Sequence, residues 1–353
     1  MNKTLTRLFE QHQLNRQELT NLIIAALENP QPLFQLARET TARHYGDSVF
    51  IRGLIEFSNY CSRNCLYCGI QRANRSLDRY RLTEDEILDC CHQGAELGYN
   101  SYVLQSGEDG YYTDEILVRI IRRIKQQFPK AAIALSIGER DFSSYQQLYR
   151  AGASRFLLRH ETANQHLYHR FHPQMSFTER QQCLLNLRKA GFNIGAGFLV
   201  GLPGQSLADL VDDLLFLKQL QPEMVGIGPF IAHPATPLGG YKNGSLEITL
   251  IMLAIARLLL PFSLIPATTA VTTLKSAGRS QALLAGANVV MPNLTPTAAK
   301  VKYELYKNKA GIADDSQQAL NKIKNVILQA GLIPDLGRGD PVKTLINRES
   351  AKC

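Results

Sequence analysis

The sequence predicts an α/β protein: a (β/α)8 TIM-type barrel preceded by an N-terminal helical extension. From Val49 onward, short apolar, β-rich runs alternate eight times with helix-length segments. The runs are too far apart for hairpins, so neighbouring strands must be parallel and joined by crossovers. A partial barrel of six such units is the alternative built from the same alternation. At 353 residues and 45% apolar content the chain can bury one large core, and barrels of this length commonly form a single domain.

Residues 4–46 read as polar-faced helices, with Leu14, Leu19, Leu22, Ile23, Ala26 and Leu27 at helical spacing and a break at Pro30 and Pro32. Residues 1–48 are therefore assigned to a helical extension, and 49–353 to the barrel with its C-terminal helices. The predicted strands are 49–57, 101–105, 131–136, 154–159, 193–199, 224–230, 264–270 and 287–292. Thr83-x-x-Glu86 is a capping box and Ser206-x-x-Asp209 a weaker relative of one. Gly98, Gly152, Gly191 and Gly286 stand where helix C-caps precede the next strand. The apolar run from Ile248 to Ala267 contains Arg257, Pro261 and Pro266, which suits a buried helix ending near Leu260 better than a membrane span.

The charge balance is 39 basic to 31 acidic residues, a net +8, without a Lys/Arg block or a basic stripe with interleaved aromatics, so no nucleic-acid partner is expected. The N-terminus is too polar for a secretory signal. Seven cysteines, three clustered and four scattered, do not form a disulfide framework, which predicts a reducing, cytoplasmic setting.

The clustered three are Cys61, Cys65 and Cys68, at C-x-x-x-C-x-x-C spacing just after the first strand. Structural zinc nearly always closes with four ligands, whereas an iron–sulfur cube on three thiolates leaves one iron open to a small molecule. A zinc knuckle would need a fourth ligand close by, and Cys90, Cys91 and His92 lie a helix away. Cys90, Cys91 and Cys183 read as small buried residues.

Barrel enzymes carry their working residues at the C-terminal ends of strands. There the sequence places the three cysteines, Gln105 to Asp109, Ser136 to Glu139, Arg159 to Thr162, Val200 to Gln205, and Thr268-Thr269. Ser106-Gly107-Glu108 is either a ligand-facing segment or an ordinary turn. Arg159 at a barrel mouth is satisfied either by an anionic ligand or by an internal pair with Glu108, Asp109 or Glu161. His160 and His233 lack a companion at metal-binding spacing and are assigned structural roles.

The cysteine spacing, with Tyr67 before the third thiol, resembles the radical SAM superfamily. The segments IEFSNYCSRNCLYCGI, RYRLTEDEI, VLQSGED, LRHETAN, GAGFLVGLPGQSLADLVDDLLFL, MVGIGPFIAHPATPL, LIPATTA and ANVVMPNLTP together resemble the HydE family, the radical SAM maturases of iron-only ([FeFe]) hydrogenases. Methylornithine synthase and biotin synthase are the nearest relatives by pattern. The resemblance implies that Cys61, Cys65 and Cys68 hold one 4Fe-4S cluster that cleaves S-adenosylmethionine (SAM) to a 5′-deoxyadenosyl radical. It places Tyr67, Ser106, Gly107, Glu108, Ser136, Glu161, Arg180, Gly201 and Ile231 around SAM, with Pro203 beside adenine. It places Gln105, Arg159, Thr268, Thr269, Tyr303 and Tyr306 around the substrate, an iron–cysteine complex bearing CO and cyanide or another amino-acid-like molecule; the tyrosines equally suit plain packing. Companion maturation proteins and an external electron donor are implied, without a membrane or nucleic acid. Some members carry three further cysteines for an accessory cluster; residues 303–324 contain none, and Cys353 cannot replace them. The competitors are a carbon-skeleton mutase like methylornithine synthase and a non-catalytic iron–sulfur carrier.

Overall fold

Strand β1 (Ser48–Ile51) runs into β2 (Gly53–Ser58), from which parallel pairings pass in order to β3 (Ser101–Ser106), β4 (Ala132–Ser136), β5 (Arg155–Leu157), β6 (Asn193–Ala196) and, beyond β7 (Leu199–Val200), β8 (Met224–Val225). β7 pairs with β9 (Gly228–Pro229), continuing the positions begun by β6 and β8. Parallel bridges from Met224 to Leu264 and from Pro266 to Val289 then lead to β10 (Val289–Val290), which pairs with β1. The ring is thus closed at eight positions. The computed structural model describes residues 2–342 and residue 344.

Several expectations change; the sixth strand, 224–230, divides into β8 and β9. The seventh strand, 264–270, is reduced to those two bridges: Pro266 has no N–H for a ladder, and a helix already begins at Thr269. The first strand breaks at Arg52, and the fifth divides at Gly197, whose φ of 155° lies outside strand geometry. A further strand, β11 (Ile333–Asp335), pairs with β1 and had no counterpart in the sequence pattern.

Helix starts follow the local chemistry. Thr83/Glu86 and Ser206/Asp209 both form reciprocal capping boxes. Gly98, Gly152, Gly191 and Gly286 all take positive φ at helix ends, the conformation in which a side chain is disfavoured. The N-terminal helices Asn2–Gln11, Arg16–Glu28 and Gln31–Tyr45 pack on the outer helices Leu207–Leu220 and Leu246–Leu259. Every residue from Thr249 to Leu259 is buried, Arg257 included. Its guanidinium donates to the carbonyls of Gly286, Pro261 and Ser263 and to Asn288 Oδ1, so its donors are satisfied inside the protein. Among the described residues no helix is long and apolar enough to cross a membrane.

The amino-terminal end of the barrel is plugged by charge. Arg52, at the β1–β2 break, and Arg155, which opens β5, are both buried and both donate to the Gly339 carbonyl. Arg155 also meets Asp340 at 2.8 Å, and Arg338 pairs with the same carboxylate. These cations hold Asp340 down to about pKa 2, so it stays ionised beneath them. Asp340→Ala removes the carboxylate facing two buried arginines and is expected to cost roughly 3–5 kcal/mol, the scale for breaking a buried pair. The urea midpoint of the cluster-free chain reads this loss; an unchanged midpoint would show that the backbone carbonyls suffice.

Candidate active site

The loop after β2 carries Cys61, Cys65 and Cys68 over the carboxyl end of the ring. It is pinned by backbone: Ser62 N–H to Glu108 O at 2.9 Å, Leu66 N–H to Phe171 O at 2.9 Å and Gly69 N–H to Leu305 O at 2.8 Å. Arg79 adds donations to the carbonyls of Asn59, Ile70, Gln71 and Asn74. A chain of Asn, Gly and Arg residues with little regular structure is thereby fixed from both sides.

Beneath the loop lies a cavity of about 350 Å³. Its wall contains all three cysteines together with Tyr67, Gln105, Ser106, Gly107, Glu108, Ser136, Arg159, Glu161, Arg180, Ile231, Thr268, Thr269, Tyr303 and Tyr306. The loop after β2, the ends of β3 and β4, the segments following β3, β5 and β9, the helix Phe177–Ala190 through Arg180, and the 266–270 and 303–309 segments supply them. Gly201 is the exception. At φ 89° its backbone packs against Gly244 Cα, so it shapes the neighbouring loop and does not line the cavity.

The thiols are partly buried and free of disulfides. Burial and the two neighbouring sulfurs push Cys65 well up, and burial first, then Cys61, pushes Cys68 up to about 12. Gly107 is required by the loop itself. A Cβ there would overlap the Tyr60 carbonyl oxygen and stand 2.7 Å from Cys61 Cβ. Gly107→Ala is expected to push residues 60–61 outward and lower the iron retained per chain after reconstitution and gel filtration, with secondary structure unchanged by circular dichroism. Full iron retention would place the glycine in an ordinary turn.

Charged groups in the wall are paired across the barrel. Arg63 meets Glu108 at 2.5 Å, and Arg180 donates to Glu139 at 2.6 Å and to the Arg159 carbonyl at 2.5 Å. Asp109 takes Arg81 through both oxygens and also accepts from Ser58. Of the two alternatives open for Arg159, the structure contains the internal pair: Nε lies 3.1 Å and Nη2 3.0 Å from the oxygens of Glu161. Glu161 itself is held at φ 64°, a strained conformation for a non-glycine residue, by backbone bonds to Gly197 and Leu199.

Two polar atoms in this wall are left over. Among the described residues, Glu161 Oε2 is buried and near Arg159 but misaligned for a hydrogen bond, and Thr268 Oγ1 is buried without a partner. Leftover polar atoms facing a cavity fit a polar ligand. Three soft thiols beside them fit a cluster with an open iron. The residues present therefore suit the groups implied by the sequence.

The cavity also contains residues that the sequence did not single out. Glu56 on β2 and Lys309 form a buried ion pair, with Asn293 donating to the second Glu56 oxygen at 2.6 Å. An acid within the apolar run Leu54-Ile55-Glu56-Phe57 was the available signal. His172 accepts from the Tyr67 hydroxyl at 2.8 Å; burial takes its pKa down to about 3, so the neutral ring fixes Tyr67 from behind. His160 is wholly buried 3.3 Å from Asp213 and His233 packs on Gly69, while Cys90 and Cys91 are buried in a helix. Cys353 lies outside the described residues.

The general model of the radical SAM superfamily matches residues 55–217. Over 304 residues, 86% of this chain and 87% of the relative, the sequence is 46% identical to the [FeFe] hydrogenase maturase subunit HydE of Thermotoga maritima. The chain belongs to the HydE family. It is a radical SAM enzyme, and the family carries a 4Fe-4S cluster and SAM. Outside HydE, 3-methylornithine synthase of Methanosarcina acetivorans is 29% identical over 91% of the chain and 89% of that protein. A crystal structure of methylornithine synthase superposes with a TM-score of 0.82 at 25% identity, covering 94% and 97% of the two chains. This chain and methylornithine synthase thus share a fold.

Proposed function

We propose that this chain is the radical SAM maturase that acts on a small iron–cysteine complex bearing CO and cyanide during assembly of the [FeFe]-hydrogenase cofactor, with one 4Fe-4S cluster. The observation that carries this reading is the cavity, where thiols on one wall face Arg159, Thr268 and Tyr303 on the other inside a 46%-identical HydE relative. When bound, the cluster supplies one electron for cleavage of SAM into methionine and a 5′-deoxyadenosyl radical.

The protein's own groups bind, orient and exclude water. Cys61, Cys65 and Cys68 would ligate the cluster, with Gly107 allowing the loop to sit close. Arg180, held rigid by Glu139, would face the SAM carboxylate, and Glu161 would accept from the ribose hydroxyls. Arg159 and Thr268 would receive the anionic substrate. Residues 302–309 cover part of the cavity, tied down through Asn59 to Lys302 O, Gly69 to Leu305 O and Lys309 to Glu56, and would limit solvent at a reactive intermediate.

A mutase of the methylornithine-synthase kind is the second reading, favoured by the 0.82 superposition and by a cavity able to take an amino-acid-like substrate. Anaerobic reconstitution followed by dithionite reduction with SAM separates the two. Four irons per chain and 5′-deoxyadenosine that rises with the iron–cysteine complex are expected. Cleavage indifferent to the complex would point to the mutase, and an intact reduced cluster without cleavage would point to a carrier.

A further inference from the structure

Cys61 borders two hollows. On one side is the central cavity; on the other is an outer cleft of about 660 Å³ lined by Tyr60, Asn64, Arg72, Asn74, Arg75 and Arg79, among others. No Asp or Glu is among its described lining residues. Arg72 and Arg75 are exposed, and among the described residues neither side chain has a partner. Arg79 is spent on four backbone carbonyls, which orient it without cancelling its charge. The nearby acid Asp78 is already paired with Lys302 at 2.7 Å. The cleft therefore combines uncompensated positive charge with a cluster-loop cysteine, Cys61, in its lining.

We propose that this cleft is the docking surface for an acidic, low-potential one-electron carrier protein, and that Cys61 is the point of electron entry. The reaction inside the barrel consumes one electron per SAM cleaved. Residues 302–309 cover part of the central cavity on one side of the loop, and the cleft opens on the other side, where a protein donor can approach. Cys61 is the one cluster-loop thiol that lies on that outer face. In the encounter the donor is oxidised by one electron and the cluster reduced by one; no atom or proton is exchanged. Exposed arginines steer an acidic partner by long-range attraction, an effect that salt weakens. An acidic protein is favoured over a small anion because Arg72 and Arg75 sit on the open rim, where two cations complement a surface.

This inference rests on the cluster assignment, which dithionite tests separately. The experiment uses the reconstituted full chain and an acidic [2Fe-2S] ferredoxin as the probe. Affinity is measured anaerobically by titration calorimetry at two salt concentrations, and electron transfer by stopped-flow bleaching of the enzyme cluster. Binding that weakens with salt, falls about tenfold or more in Arg72→Glu/Arg75→Glu, and less in Arg72→Gln/Arg75→Gln, supports the proposal when bleaching by ferredoxin slows in step and bleaching by dithionite is unchanged. Unchanged affinity in the charge-reversed variant overturns it. So does equal binding of a basic cytochrome, or a cleft that binds inorganic pyrophosphate with the variant's defect confined to that anion. Failure of dithionite to reduce the wild-type chain would instead sink the cluster assignment itself.

Discussion

Anaerobic reconstitution of Cys65→Ala is expected to yield a chain without a stable 4Fe-4S cluster and without detectable 5′-deoxyadenosine. The two losses come together because one thiolate serves both. With three protein ligands the cube already leaves one iron open; with two it loses a second anchor and a negative charge that balances iron. Cys65 lies between Cys61 and Cys68 in the loop and packs against the apolar cluster of Tyr168, Met175 and Phe177. Iron analysis and SAM cleavage on the same preparation check this, and retention of either in full would refute the ligand set. Cys90 and Cys183 serve as controls, since alanine at either site should leave iron content at the wild-type level.

Arg159→Ala is expected to act in the opposite sense, sparing the cluster while raising the substrate level needed for half-maximal response about 10- to 100-fold. That range corresponds to about 1.5–3 kcal/mol for hydrogen bonds to a charged group. The argument depends on the pair with Glu161. An arriving anion does not find a bare cation; it shares one that Glu161 already holds in position. Removing Arg159 also leaves Glu161 without its paired cation in a buried wall, with Arg180 the remaining one nearby. The double variant Arg159→Ala/Glu161→Gln separates these effects: neutralising the acid should recover the stability lost in the single variant but not substrate capture. Iron loss in Arg159→Ala would contradict the assigned role.

Much of the barrel was legible because its chemistry is local. The first four strands are short apolar runs bounded by capping residues and glycines, and their register follows from burial on both faces. The cysteine loop was legible because ligand spacing is a covalent property of the chain. The seventh strand failed for the same local reason in reverse: Ile265 and Ala267 look like strand residues, but Pro266 between them removes a ladder donor, so the ring closes there on two bridges. What was not legible depends on distance along the chain. Glu56 and Lys309 are separated by 253 positions, and no pattern near either predicts the other. Arg52 and Arg155 likewise acquire their meaning only when residues 338–340 return beneath the barrel. Gly201 takes φ 89° against Gly244 outside the cavity lining, a backbone role that its place in the sequence does not distinguish from a ligand-facing one.

The Glu56–Lys309 contact joins the first strand of the ring to the end of the roof. A ribosome delivers residue 56 and the three cysteines long before residue 309 emerges, so for most of synthesis the cysteine loop has no ceiling. The contacts at Asn59, Gly69 and Glu56 all wait for the same late segment, and they arrive together. The fold thus makes the ordering of the cysteine loop a late event: three of the contacts that hold it form only once residues 302–309 have been made.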